Sequence, residues 1–192
     1  MSTRGLIPLL MAATLICPAQ PPVMAQTPLA RSAMIEDFKM QPETRWRFFT
    51  DQVMGGVSTG GVDFATEDGH AYARMTGRVS TANSGGFIQM RLDLTSPPHE
   101  GTTGVLLMVR GNDQRYFVHL RTGGTLLPWQ YYQAGFDVTE SWTKVRLPLE
   151  SFTASGALLR SVPRPGSLAS VAIVAYGRDH DARIDVREVG FY

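Results

Sequence analysis

Cysteine is almost missing from this sequence: Cys17 is the only one in 192 residues. An internal disulfide is therefore excluded, and so is a zinc site built on several thiolates. An excess of charge of one sign is also missing, with 18 Lys and Arg against 17 Asp and Glu. A nucleic-acid binder needs a basic stripe to displace counterions, so that class is excluded. The charges are interspersed and form no acidic or basic tail. Beyond the first 25 residues no apolar run is long enough to cross a bilayer. There is no phosphate loop, no dinucleotide fingerprint and no internal repeat. No amphipathic helical pattern persists beyond about two turns. What the chain does have is 43% apolar residues, 19 glycines and 12 prolines. The first rules out wholesale disorder, and the others point to many turns.

The first stretch reads as an address. Arg4 precedes an apolar run from Leu6 to Cys17, broken only by Pro8 and Thr14. Pro18, Pro21 and Pro22 come next, then Val23-Met24-Ala25. A short positive start, a short apolar centre and an A-x-A-like site predict a secretory signal peptide cleaved after Ala25. An uncleaved anchor is the alternative. A lipidated Cys17 fits poorly, because bulky Ile16 precedes it. The expected mature protein is exported, periplasmic or secreted, and has no cysteine, so thiol catalysis is excluded as well. Its roughly 165 residues suffice for a core without cross-links.

Residues 26–34 read as a flexible lead-in and residues 35–192 as one all-β domain. Phe87 to Leu94 alternates, with Ile88, Met90, Leu92 and Leu94 on one side and Gln89, Arg91 and Asp93 on the other. Val145 and Leu147 alternate with Lys144 and Arg146. Val105 to Val109 is apolar throughout, which predicts a strand buried on both faces. Tyr116 to Leu120, Val171 to Tyr176 and Ile184 to Val189 complete the strand set. Turn signals lie between them at Asp68-Gly69, Ser84-Gly85-Gly86, Gly111-Asn112-Asp113 and Gly123-Gly124. Arg110 to Arg115 is expected to be a hairpin turn joining two central strands. Thr153 to Ser167 is expected to be a long surface loop. Short strands separated by glycine-rich turns predict a β-sandwich or jelly roll.

Several residues invite chemistry. Gly56-Val57-Ser58-Thr59-Gly60 matches the G-x-S-x-G nucleophile elbow of serine hydrolases, which needs a strand-to-helix turn over a parallel sheet. No helix pattern comes after Gly60, so a glycine-rich turn is the stronger reading. Asp179-His180-Asp181 with Asp185 offers metal-ligand types without a familiar spacing, and a solvated loop explains it as well. His119 reads as a hydrogen-bonded packing residue. Phe136 and Trp142 are expected in the core. Trp129 and Tyr131 are either exposed, as a stacking platform for a sugar, or buried.

The run Asp51-Gln52-Val53-Met54-Gly55-Gly56-Val57-Ser58 resembles the opening signature of the complex I intermediate-associated protein 30 family. The motifs around it stand in a similar order too. Trp46 precedes it, and Gly77 to Ser80, Asn83-Ser84-Gly85-Gly86-Phe87 and Arg91 resemble a second block. Val109-Arg110-Gly111 through Arg115-Tyr116 resembles a third. Tyr132-Gln133-Ala134 with Phe136, Trp142, Val145 and Pro148 to Phe152 resembles a fourth. The likeness runs from about Ile35 to Tyr192. It implies a galactose-binding-like jelly roll and a non-enzymatic role, since family members assist assembly of the respiratory NADH:ubiquinone oxidoreductase.

An exported bacterial member would meet such a protein partner at the outer side of the membrane. The expected function is thus a non-catalytic binding module that takes a protein partner, with the membrane subunits of a respiratory complex as candidates. A carbohydrate-binding module of the cell envelope is the alternative, and a hydrolase using Ser58 the third reading. No cofactor and no metal are expected. The expected recognition face comprises Asp51, Gly55, Gly56, Ser58, Asn83, Gly86, Arg91, Arg110, Tyr116, Trp129, Tyr131 and Gln133. The competing expectation is that these residues scaffold one another.

Overall fold

Each short alternating segment has one apolar edge to bury, and pairing the segments into two facing sheets buries all of them against each other. The computed structural model describes Met1 and residues 33–192. The predicted leader, Cys17 and most of the lead-in lie outside the described residues. The strands are β1 (Ala33–Glu36), β2 (Trp46–Thr50), β3 (Thr59–Glu67), β4 (His70–Val79), β5 (Phe87–Asp93) and β6 (Gly104–Gly111). After them come β7 (Arg115–Thr122), β8 (Tyr132–Asp137), β9 (Thr143–Pro148), β10 (Thr153–Ala154), β11 (Leu168–Tyr176) and β12 (His180–Phe191). One helical turn, α1 (Pro42–Arg45), precedes β2.

The first sheet runs β3-β4-β12-β6-β9, with β1 also pairing β12, and the second runs β10-β8-β7-β11-β5-β2. All pairings are antiparallel. The fold is a jelly-roll β-sandwich of two antiparallel sheets. Its core lies between the sheets, where Met75, Val105, Leu107, Val109, Ile184 and Val186 of the first meet Ile88, Met90, Tyr116, Val118, Leu120 and Ile173 of the second. The β3–β4 hairpin closes on Asp68 (φ 50°) and Gly69 (φ 77°). Two left-handed residues make the tight turn that matches strand twist, as the Asp-Gly pair predicts.

Two local expectations are corrected. Arg110 to Arg115 is not a hairpin turn. β6 belongs to the first sheet and β7 to the second, so Gly111 to Gln114 carries the chain across the sandwich. Turn composition is the same for either path, and only the pairing partners decide between them. Buried Tyr116 anchors this crossing: its hydroxyl donates to Asn112 Oδ1 at 2.7 Å and accepts from Arg183 N at 2.8 Å. Burial pushes its phenol up to about 12 despite the Arg183 N–H that favours the ionised form. Nor is β6 buried on both faces. Val105, Leu107 and Val109 are fully buried, whereas Leu106 and Met108 are half-buried on the outer side. The segment Thr153 to Ser167 is largely loop, with β10 at one end and a 3-10 turn (Pro165–Ser167) at the other.

Candidate functional site

Ten of the expected recognition residues separate into three places, while Tyr116 is corrected to a fully buried core residue and Trp129 stands on a loop. The first is a buried knot at one end of the sandwich. Asp51 opens a 3-10 turn (Asp51–Met54) that Gly55 ends with φ 91°. Its carboxylate is fully buried and accepts from four donors: Ser58 N at 2.9 Å, Ser58 Oγ at 2.5 Å, Gly86 N at 2.5 Å and Phe87 N at 3.3 Å. Burial acts to raise the Asp51 pKa, but the Ser58, Gly86 and Phe87 hydrogen bonds outweigh it and hold the carboxyl below its ordinary value. A Cβ on Gly56 or Gly85 would overlap this carboxylate, which explains both glycines. Asn83 and Ser84 both take left-handed angles on the loop that delivers Gly86. Asp51 and Ser58 therefore join two loops and present no side chain to a partner. Ser58 has no exposed surface, and its hydroxyl donates to Asp51 and accepts from Ser80 N at 3.0 Å, so it cannot reach a substrate as a nucleophile.

The second place is the outer side of the first sheet. Asp185 is buried and holds Arg74 through two bonds, of 2.7 and 2.8 Å, and Arg110 Nε at 2.8 Å. Arg110 also pairs with Glu67 at 2.8 Å and lies 4.6 Å from the Trp142 ring centre. Arg187 lies over the same ring at 4.7 Å. Trp142 is thus corrected from core residue to a half-buried plate on the outer face, edge-on to Tyr72. Its alternation partner, not its size, decides its side: Thr143 and Val145 continue a strand whose inward residue is Leu147. Phe136 is buried. Among the described residues no cluster of three or more metal-ligand types is present. Asp179 instead accepts from Thr81 N and Oγ1, both at 2.7 Å.

The third place is the outer face of the second sheet, and it gathers Arg91, Tyr131 and Gln133. Cross-strand register brings Ala172 opposite both His119 and Arg91, Val174 opposite Phe117 and Gln89, and Gln133 opposite His119. Ala172 and Val174 are buried yet stand outside the core between the sheets, because side chains on this outer face cover them. An aromatic strip crosses the strands. Tyr131 stacks on His119 with ring centres 4.0 Å apart and planes 9° off parallel. His119 meets Tyr176 at 5.8 Å, and Tyr176 meets Phe117 edge-on at 6.0 Å. Tyr176 pairs in register with Phe87, which meets Phe49 edge-on at 6.4 Å. Arg91 lies 5.2 Å from the Phe49 ring centre. Polar groups flank the strip: Gln133 accepts from His119 Nε2 at 2.8 Å, and Gln89 and Arg121 are half-buried beside it. Trp129 stands apart on the β7–β8 loop and is 65% exposed.

Sequence reasoning missed Phe49, Phe87, Phe117 and Tyr176 on this face. Their signal is parity, since each sits one position from a core residue, but parity alone does not say which face is which. His119 is the packing residue expected. Burial pushes its imidazole down to about 4, against the Gln133 bond, which acts to raise it. The unfolded chain takes up this proton near pH 6.5 and the folded chain near 4. Stability is therefore whole above pH 6.5 and declines as pH falls from 6.5 to 4, by up to roughly 3 kcal/mol. Urea midpoints across this range should fall for the parent and stay flatter for His119→Gln. Equal slopes would show that His119 is not the group responsible.

The description "Complex I intermediate-associated protein 30 (CIA30)" belongs to the family that matches residues 36–180. No curated protein matches the sequence. Among solved structures, the family 11 carbohydrate-binding module of the cellulosomal cellulase Lic26A-Cel5E of Clostridium thermocellum is similar at TM-score 0.68 and 10% identity, covering 83% of this chain and 93% of its own. The Clostridium thermocellum family 11 module in complex with a β-1,3-1,4-mixed-linked tetrasaccharide gives 0.67 at 10% identity, over 83% and 94%. The family 30 carbohydrate-binding module of cellulosomal cellulase Cel9D-Cel44B from the same organism gives 0.51 at 13%, over 70% and 82%. Likeness at these identities describes the fold.

Proposed function

The chain belongs to the complex I intermediate-associated protein 30 family, and on that premise we propose that it is a binding module whose outer second-sheet face takes an extended polysaccharide chain. The observation that carries this reading is the aromatic strip from Tyr131 through His119 and Tyr176 to Phe87 and Phe49. Sugar rings present C–H faces that stack on aromatic planes, while their hydroxyls need donors and acceptors at the margin. Gln133, Gln89 and Arg91 supply those, whereas the Arg121 guanidinium is taken up by loop carbonyls. The tetrasaccharide carried by the similar family 11 module supports this choice of ligand class.

Preorganisation adds to the case. His119 fixes the Tyr131 ring by stacking, so little rotamer freedom remains to be lost on binding. The test is affinity electrophoresis through gels containing mixed-linked β-glucan or other soluble polysaccharides. Retardation of the parent is expected, with Tyr131→Ala weakening binding about ten-fold or more at a temperature where circular dichroism shows the variant still folded. Absence of retardation by every polysaccharide would overturn the reading. The family's own description favours a second one, in which a protein segment occupies the same face. Crosslinking in intact cells that captures a membrane protein through Tyr131, but not in Tyr131→Ala, would support that instead.

A further inference from the structure

Two loops at one end of the sandwich carry a separate feature. The β7–β8 loop displays Leu126 (83% exposed), Leu127 and Trp129, and the β10–β11 loop displays Leu158 (90% exposed) and Val162. The loops lie side by side and are tied at both ends. Ser155 Oγ donates to Trp129 O at 2.8 Å and accepts from Tyr131 N at 2.9 Å, while Gly123 N donates to Ser167 O at 2.9 Å.

The apolar side chains are exposed although the backbone beneath them is held firmly. Arg121 donates to the carbonyls of Thr125, Leu127 and Pro128 at 3.1, 3.0 and 3.3 Å. Buried Gln130 accepts from Leu126 N at 2.8 Å and Leu127 N at 3.0 Å. Buried Thr125 closes the turn onto Thr122 O at 2.7 Å. A loop so thoroughly bonded could have turned its leucines inward, as the neighbouring loop does with Leu159, which packs on the core. Instead it holds an apolar tip out in solvent.

Charge selects the partner. Residues 121–131 and 153–167 contain Arg121, Arg160 and Arg164 and no carboxylate. Arg160 and Arg164 are exposed, and the bordering carboxylates are Glu150, ahead of β10, and Glu100, against Gly166. Isolated apolar tips with Trp among them, rimmed by arginine, match the interface of an anionic bilayer, where rings sit at headgroup level and cations meet phosphates. We propose that these two loops dock the protein on an anionic membrane surface, with Leu126, Leu127, Trp129 and Leu158 entering the headgroup region.

The test is sedimentation with phosphatidylcholine vesicles, with and without about 30% phosphatidylglycerol, read together with tryptophan fluorescence. Binding should be roughly ten- to thirty-fold stronger to the anionic vesicles, as two exposed arginines near a charged surface imply. Emission should shift to the blue, and Trp129→Phe should abolish the shift while leaving sedimentation nearly intact, because Trp46 is buried and Trp142 packs against Tyr72 of the first sheet. The triple variant Leu126→Ser, Trp129→Ser, Leu158→Ser changes only exposed side chains and should lose most binding without a lower melting temperature. Sedimentation equal for parent and triple variant, or none with anionic vesicles at low salt, overturns the proposal. A parent dimer that the triple variant dissociates would also overturn it, by assigning the loops to a second copy of the chain.

Discussion

Asp51→Ala is expected to lower stability by about 3–5 kcal/mol, enough to unfold a marginal domain near room temperature. The carboxylate is fully buried and answers three backbone N–H groups and one hydroxyl. Alanine removes every acceptor at once and leaves the donors of Ser58, Gly86 and Phe87 unpaired in a dry site, each at about 1–3 kcal/mol before relaxation. Asp51→Asn should also destabilise, since its amide NH₂ would face a donor wherever it replaces an oxygen. Ser58→Ala should cost less, about 1–3 kcal/mol, because the three backbone donors to Asp51 keep their acceptor and only the Ser80 N–H, bonded to the Ser58 hydroxyl at 3.0 Å, loses one. Chemical denaturation of the three variants gives the ranking. A small loss for Asp51→Ala, with Ser58→Ala equal or larger, would mean that water reaches the knot and that the loops do not depend on it.

Asp185→Ala is expected to cost about 2–4 kcal/mol. Asp185 lies in the first sheet on β12, between Arg74 on β4 and Arg110 on β6. Burial would raise its pKa, but Arg74 and Arg110 more than reverse this and keep it ionised. Its loss leaves two guanidinium groups facing each other across a central strand. Both arginines retain some solvent, and Arg110 keeps Glu67 and the Trp142 ring, so the cost stays below that of two fully buried charges. Arg110→Ala should be milder, at about 1–3 kcal/mol, because Arg74 still satisfies Asp185 through two bonds. Denaturant midpoints at low salt and at roughly 0.5 M salt test the pair. A loss that disappears in salt would place these charges in open water rather than in a network held by the sheet.

Much of the fold was legible in the sequence. Alternation from Phe87 to Leu94 and from Lys144 to Leu147 marked two strands with the correct inward residues, though the first ends at Asp93 and the second runs from Thr143 to Pro148, and Asp68-Gly69 marked a turn. The signature around Asp51 pointed to the right residues and left two roles open, recognition face and mutual scaffold, and the buried knot is the scaffold. A buried Asp–Ser pair and an exposed one look alike in a linear string, and the fourth donor to Asp51 comes from 36 residues away. The path of Arg110 to Arg115 was not legible, because Gly, Asn and Asp serve a hairpin turn and a crossing between sheets equally well. Trp142 was misplaced for a related reason: its size favours the core, whereas its position in the alternation places it against Arg110 and Arg187 on the outside.

The amino-acid sequence by itself determined that this is an all-β sandwich of a particular family, because period-two patterning, glycine-rich turns and ordered motifs are local properties written along the chain. Only the tertiary structure decided which residues share a face. Sheet order and register bring Tyr131, His119, Tyr176, Phe87 and Phe49 into one strip although they lie far apart along the chain. Register moves in steps of one residue, and each step exchanges the two faces of a strand, so the composition of a face is a property of the pairing and not of any single strand.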